Sequence, residues 1–328
     1  MLDYRPKMFS EASKSHASKN IFIILLCFLA VFIVILLLES VVPAVVTLKP
    51  MIEELRKQGY LDSGEIISVT EATKLATKVA SAPKVMVPTL LSTGFGTLAA
   101  IFYCRCIEMR PVRSMGARKN GFFSHYFSGL LCGLIMMSAI ALLSAALGIN
   151  RIKLCSNINF GIIALFLLGF IVQGMSEEFI FRGYLMTTIG GSGKHTAVAV
   201  LISSVGFALA HAGNPGFGPL PFVNLFLFGA FAALCVVIFD NIWGACAIHS
   251  IWNFAQGNLY GISVSGSADA ESVLRSVPQS SHAFLTGGKF GIEGSIVTTV
   301  ILGIGIASEL YMLSKKTPET EPAPAEAE

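Results

Sequence analysis

Eight apolar runs divide the chain, and the polar positions inside three of them are its most informative feature. The runs fall at about 21–46, 85–104, 121–148, 158–188, 194–212, 219–239, 241–262 and 289–313. An α-helix rises 1.5 Å per residue, so about 20 apolar residues cross a bilayer. The pattern predicts an all-α fold, a polytopic transmembrane helical bundle of about eight spans. Gly191-Ser192-Gly193, Asn214-Pro215-Gly216 and Asp240-Asn241 break the closest pairs apart. The first run could be mistaken for a signal peptide. Its core exceeds the roughly 7–15 residues of a signal h-region, and no small-residue cleavage site follows, so it reads as a retained helix.

The segment between the first two runs has a different texture. Met51–Tyr60 and Glu71–Val79 mix charges with spaced apolar residues. This predicts two amphipathic helices joined through Asp62-Ser63-Gly64, packed on the membrane surface or capping a substrate path. The chain then divides into an N-terminal cytoplasmic arm (1–20), a first transmembrane helix (21–47) and this extracytoplasmic segment (48–84). The second and third transmembrane helices (85–156), a core (157–262), a loop with the last helix (263–314) and a tail (315–328) follow. The Pro/Ala/Glu-rich tail is expected to be disordered.

Composition agrees with the pattern. Hydrophobic residues make up 54% of the chain and charged residues 13%, against about 25% charged in soluble domains. The net charge of +3 comes with no basic-aromatic platform, so no nucleic-acid partner is expected. Seven cysteines without a CxxC exclude a disulfide framework, and Cys104 and Cys106 read as thiols at a membrane edge. Basic residues cluster in the N-terminal arm, between 105 and 119, and at Lys315-Lys316. By the positive-inside rule both termini are cytoplasmic, in a protein of the plasma membrane. The six basic residues of 48–84 run against that assignment.

Ionisable groups inside membrane spans are costly and by default mark function. The first cluster is Glu177-Glu178-Phe179-Ile180-Phe181-Arg182. Glu178 and Arg182 stand i, i+4 and can pair. Glu177 lies about 100° around the helix, free to face a cavity. A helix that simply ends at Glu177, with both carboxylates in water, is the plainer alternative. The second cluster places Phe207 and His211 on one face, a spacing that an ordinary interface histidine also satisfies. The third places His249 and Asn253 on one face, where lipid exposure would be costly. Counting from inner boundaries near 188, 195 and 241 puts Glu177, His211 and His249 roughly 16, 24 and 12 Å deep. His211 is the outlier.

In order and type, Glu177-Glu178-(x3)-Arg182, Phe207-(x3)-His211 and His249-(x3)-Asn253 resemble the motifs of the CPBP family, also called Abi. That family contains the Rce1-type CAAX prenyl proteases and bacteriocin-processing relatives. Each motif alone is weak, but three in order on successive apolar runs are specific. The resemblance covers about 157–262 and implies an intramembrane peptidase acting on a membrane-bound peptide or protein within the lipid bilayer. It implies Glu177 as base for a water, His211 as the group that positions it, and His249 with Asn253 as the oxyanion site. Glu178, Arg182 and Phe207 would be structural support.

No cofactor is required on that reading. The alternative is zinc, held by Glu177, His211 and His249, although no HExxH is present. A rhomboid-type serine fails for want of GxSG, and an aspartyl enzyme for want of GxGD. Two other classes share the pattern: a scaffold or bacteriocin immunity protein on the same fold, and a transporter whose path the polar residues would line.

Overall fold

The computed structural model describes residues 4–63, 66–267 and 271–316. A short helix α1 (Lys7–Ala12) precedes α2 (Ile21–Lys57), which Asn20 caps by accepting from the Phe22 N–H. At 37 residues α2 is far longer than a bilayer needs. Here the structure corrects the expected boundaries. The helix that begins at Ile21 runs on past 47 to Lys57, so 51–57 continue it rather than forming a separate helix. The chain stays helical through Pro43 and Pro50, each of which lacks the N–H that an interior turn would use. Leu48, Met51, Glu53, Glu54 and Leu55 are good helix formers and carry the helix onward.

After α3 (Tyr60–Ser63) comes α4 (Val69–Ala80), started by a capping box in which Ser68 and Glu71 satisfy each other's backbone N–H groups. Gly64, part of the expected joint, lies outside the described residues, as does the tail from 317. α5 (Pro83–Ser92) and α6 (Gly94–Phe102) run nearly end to end into a π-helical turn, Tyr103–Ile107. Next are α7 (Phe122–Ala146), β1 (Asn150–Leu154) and α8 (Phe160–Glu178). A second π segment, Phe179–Met186, joins α8 to α9 (Thr187–Gly191). α10 (Thr196–Ala210), α11 (Pro219–Phe239) and α12 (Trp243–Phe254) follow, α12 ending in a third π turn, Ala255–Leu259. β2 (Leu274–Pro278), α13 (Ala283–Thr286) and α14 (Ile296–Ser314) complete the described chain.

The protein is an all-α polytopic bundle. Among the described residues, six apolar segments are long enough to cross a membrane by themselves: 21–57, 83–107, 122–146, 160–191, 219–239 and 296–314. The other two of the eight expected runs are short, 15 residues in α10 and 12 plus a five-residue π turn in α12. They carry the second and third polar clusters. α12 is buried along most of its length between α7 and α8. Glycines let the backbones meet there. A Cβ on Gly129 would lie 2.3 Å from the Gly244 carbonyl, and one on Gly174 would lie 2.6 Å from the Ser250 nitrogen. Small residues four apart, Gly129 and Gly133, are the usual means of close helix approach in membranes.

At one end of the bundle the N-terminal arm is docked rather than free. Met8 and Phe9 are fully buried, the Met8 N–H donates to Asp240 Oδ1 at 2.9 Å, and Arg5 donates to the Gly190 carbonyl at 2.9 Å. Burial pushes the Asp240 carboxyl above its ordinary pKa, and the Met8 N–H and the Arg118 guanidinium pull it partway back. At the other end β1 and β2 pair antiparallel, Asn150 opposite Pro278. These segments read as loops in the sequence. Arg151 to Leu154 alternate polar with apolar residues over only four positions, β2 does not alternate, and over a hundred residues separate the two, so nothing local announces the pairing.

Candidate active site

The three polar clusters converge on one cavity of about 620 Å³, lined by Glu177, His211, His249 and Asn253 together with Phe207 and Gln173. Glu177 comes from the last turn of α8, His211 from the C-terminal cap of α10, and His249 and Asn253 from α12. Glu177 Oε2 stands 3.8 Å from His211 Nε2 and 3.8 Å from His249 Nε2. The depth offset expected for His211 therefore does not keep its ring from reaching Glu177. Both α8 and α12 pass into π-helical turns just after their polar residues, Phe179–Met186 and Ala255–Leu259. Such turns recur at functional sites because they re-aim side chains without ending the helix.

Glu178 does more than its spacing suggests. It is fully buried and accepts from Arg182 Nη1 at 2.9 Å, as the i, i+4 relation predicts. The same Oε1 also meets His249 Nδ1 at 2.8 Å. Arg182 continues to the Gly229 carbonyl at 3.0 Å, and its guanidinium lies 4.6 Å from the Phe207 ring centre. Glu178 thus ties α8, α12 and, through Arg182, α11 into one buried unit. Phe207 packs against His211 and His249 at 4.8 and 5.7 Å between ring centres, and its carbonyl meets His211 Nδ1 at 2.9 Å.

These contacts set the proton inventory. Nδ1 of each histidine faces an atom that only accepts, so in a neutral ring Nδ1 carries the hydrogen and Nε2 presents a lone pair. Glu177 Oε2, buried and without a hydrogen-bond partner, also only accepts when ionised. Three acceptors therefore face one another, an arrangement that calls for a water, a proton or a cation between them. A neutral His249 cannot donate to an oxyanion from Nε2; it does so only as imidazolium. Asn253 keeps a spare N–H, since Nδ2 has two and one goes to Gln173 Oε1 at 2.9 Å.

Two cavity residues escaped the sequence reading. Gln173 donates to Glu177 Oε1 at 2.8 Å and links it to Asn253. Its signal was present: it precedes Glu177 by four, on the same helix face. Glu39 on α2 also lines the cavity. It is the only charged residue between Lys19 and Lys49, and that isolation within an apolar run was the available clue. The end of the amphipathic segment also reaches the cavity, through Thr77, Ala80 and Ser81.

Two imidazole nitrogens and a carboxylate oxygen, each ring fixed through its other nitrogen, are the donor types of a catalytic zinc site. With bonds of about 2.0–2.1 Å, tetrahedral ligands must stand closer than the 3.8 Å separations here. Among the described residues, no three His, Cys, Asp or Glu side chains are arranged to hold a metal ion.

Fold and site together define an integral membrane protein with a carboxylate and imidazoles gathered inside its bundle. Residues 159–255, which include all three polar clusters, match the family model for the type II CAAX prenyl endopeptidases, Rce1-like. This agrees with the resemblance read from the motifs, and it implies CAAX-type intramembrane protease activity. The matched stretch is less than a third of the chain and leaves out α2 and α4. No curated protein and no solved structure matches the chain.

Proposed function

We propose that the protein is an intramembrane endopeptidase that hydrolyses a peptide bond of a membrane-associated peptide or protein with a glutamate-activated water. The observation that carries this is the meeting of Glu177 Oε2 with two histidine Nε2 atoms, 3.8 Å from each, in a cavity inside the helical bundle. A water among these three acceptors can donate both hydrogens and turn a lone pair to the scissile carbonyl. Glu177 takes one proton as the water attacks, and that proton passes to the departing amine when the C–N bond breaks. Gln173 holds Glu177 through Oε1, leaving Oε2 for the water. His211, held by the Phe207 carbonyl, positions the water.

Asn253 offers its spare N–H to the developing oxyanion, where a donor fixed in place before reaction has its greatest effect. His249, its Nδ1 held by Glu178, adds to this when its Nε2 carries a proton. Glu178, Arg182 and Phe207 position these groups. Metal-free chemistry is the reading we favour, with a water held among Glu177 Oε2 and the two Nε2 atoms, 3.8 Å from each. In the zinc alternative Glu177, His211 and His249 would be the ligands, and the metal would lower the pKa of a bound water. We place both termini on the cytoplasmic side of the plasma membrane, because the basic loop 105–119, the N-terminal arm and Lys315-Lys316 gather at one end.

The test is cleavage of a peptide library by purified wild type and Glu177→Ala, with bound zinc measured by elemental analysis. Cleavage by metal-free wild type alone is expected. Equal cleavage by folded Glu177→Ala would sink the mechanism. Loss on chelation with recovery on zinc would move the same three residues into ligand roles.

A further inference from the structure

Among the described residues, three side-chain amides line the cavity: Gln173, Asn214 and Asn253. Gln173 and Asn253 are bonded to each other, and Gln173 to Glu177. Asn214 is half-buried, and among the described residues its side chain has no hydrogen-bond partner. The sequence marks it only as the start of a turn, and the chemistry just described makes no use of it.

The fold fixes the Asn214 backbone as firmly as it leaves the side chain free. Its N–H donates to the His211 carbonyl at 3.0 Å, and its carbonyl accepts from the Phe217 N–H at 3.1 Å. The residues that follow are wedged between two distant segments. Gly216 stands at φ +81°, where a Cβ would fall 2.5 Å from the Phe290 nitrogen, and a Cβ on Gly266 would run into the Pro215 carbonyl. The Gly266 N–H in turn donates to the Phe290 carbonyl at 2.8 Å, and Phe290 is fully buried with its ring edge-on to Phe217. A turn packed this tightly confines its amide before any ligand arrives, which lowers the ordering cost of binding.

Chemistry and distance indicate the ligand. The hydroxyls beside this turn are spent: Ser265 donates to Glu293 Oε2 at 2.9 Å and Ser267 to the Val264 carbonyl at 2.6 Å. A peptide cut inside a membrane must give up its helical hydrogen bonds near the cleaved amide, and its bared N–H and C=O groups need partners. In an extended chain the N–H and C=O of one residue point to the same side, so a neighbour can bond both at once. A side-chain amide presents the matching edge, Oδ1 to accept and Nδ2 to donate. The turn keeps the Cα atoms of His211 and Asn214 within about 7 Å. Two residues of extended chain span roughly 7 Å.

We propose that Asn214 is a substrate-binding residue that clamps the backbone of one extended peptide residue, one or two positions from the scissile bond. Its Oδ1 accepts from that residue's N–H and its Nδ2 donates to the same residue's C=O. The place beside a scissile bond rests on the peptidase reading; the clamp on an extended peptide does not.

The experiment uses full-length protein in detergent and a fluorescent prenylated peptide of the CAAX type with a free C-terminus. Backbone esters replace its N–H groups one at a time on either side of the prenylated cysteine, the scissile amide left intact. Cleavage gives kcat/KM, and anisotropy in the Glu177→Ala background gives Kd without turnover. We expect one ester to lower kcat/KM about fivefold and to raise Kd by the same factor, the scale of one backbone hydrogen bond. In Asn214→Ala the unmodified peptide should be weakened by at least that factor, and the ester penalty should vanish. Asn214→Asp, which keeps the accepting oxygen, should keep the penalty, and this separates the contact from a loss of fold. With cleavage present, an undiminished penalty in Asn214→Ala, or no ester-sensitive position, overturns the clamp and leaves the peptidase intact. Ester-sensitive binding that depends on Asn214, without any cleavage by wild type, supports the clamp and overturns the peptidase. Neither cleavage nor ester-sensitive binding overturns both.

Discussion

The core and the segment outside it are both held by glutamates paired with cations, and the pairs do different work. In the core, Glu178 meets Arg182 at 2.9 Å and His249 at 2.8 Å, with both carboxylate and guanidinium wholly shielded from solvent. In the outer segment, Lys78 meets Glu54 at 2.5 Å and Lys84 meets Glu53 at 3.6 Å, with the lysines 61% and 63% exposed. Distance alone would rank Lys78–Glu54 first. Surroundings reverse the order. Water and salt replace a surface partner readily, whereas a buried charge that loses its partner has nothing to turn to.

The largest effect should come from breaking the core pair on one side. Arg182→Met leaves Glu178 buried without its cation and should cost about 3–5 kcal/mol, read from unfolding in mixed detergent. Replacing both, Glu178→Met with Arg182→Met, should recover much of that stability but not activity, because His249 then loses its Nδ1 partner. A double variant no more stable than Arg182→Met would show that the pair is not what holds this region.

Next is Gln173→Leu. Losing one hydrogen bond to the Glu177 carboxylate should lower kcat by about 10- to 100-fold with the unfolding midpoint little changed. An unaltered kcat would remove Gln173 from the site. Gly174→Ala comes third. Its new methyl would fall 2.6 Å from the Ser250 nitrogen, a backbone atom that cannot step aside, so α8 and α12 must part at about 1–3 kcal/mol. The smallest effect belongs to Lys78→Ala in the outer segment, which should leave the unfolding midpoint within error at physiological salt. A clear drop there would mean that the exposed pairs act as a network and would narrow the contrast between the two regions.

Legibility followed the range of the interactions. Glu178–Arg182 and the shared faces of Phe207 with His211 and of His249 with Asn253 follow from helical spacing, so local arithmetic sufficed. The link from Glu178 to His249 spans 71 residues, and helical spacing cannot foresee it. Gln173 was one helical turn from Glu177 but was overlooked because a single amide in an apolar run carries no charge to draw notice. The length of α2 was misjudged because the charges from Met51 onward read as a separate amphipathic helix, while a helix in or near a bilayer has strong reasons to keep its backbone bonds through Pro43 and Pro50.

By itself the sequence determined the class of the molecule, the number and order of its apolar runs, and the identity of the three polar clusters. Each of these depends on neighbours within a turn or two, or on the simple cost of placing polar groups in lipid. Only the tertiary structure decided that the clusters meet around Glu177, that Glu178 serves His249 as well as Arg182, and that Glu39 belongs to the cavity. Those facts depend on which helices touch and at what stagger. That is set by close contacts such as Gly174 on Ser250 and Gly129 on Gly244, where backbones distant in sequence approach because no side chain keeps them apart.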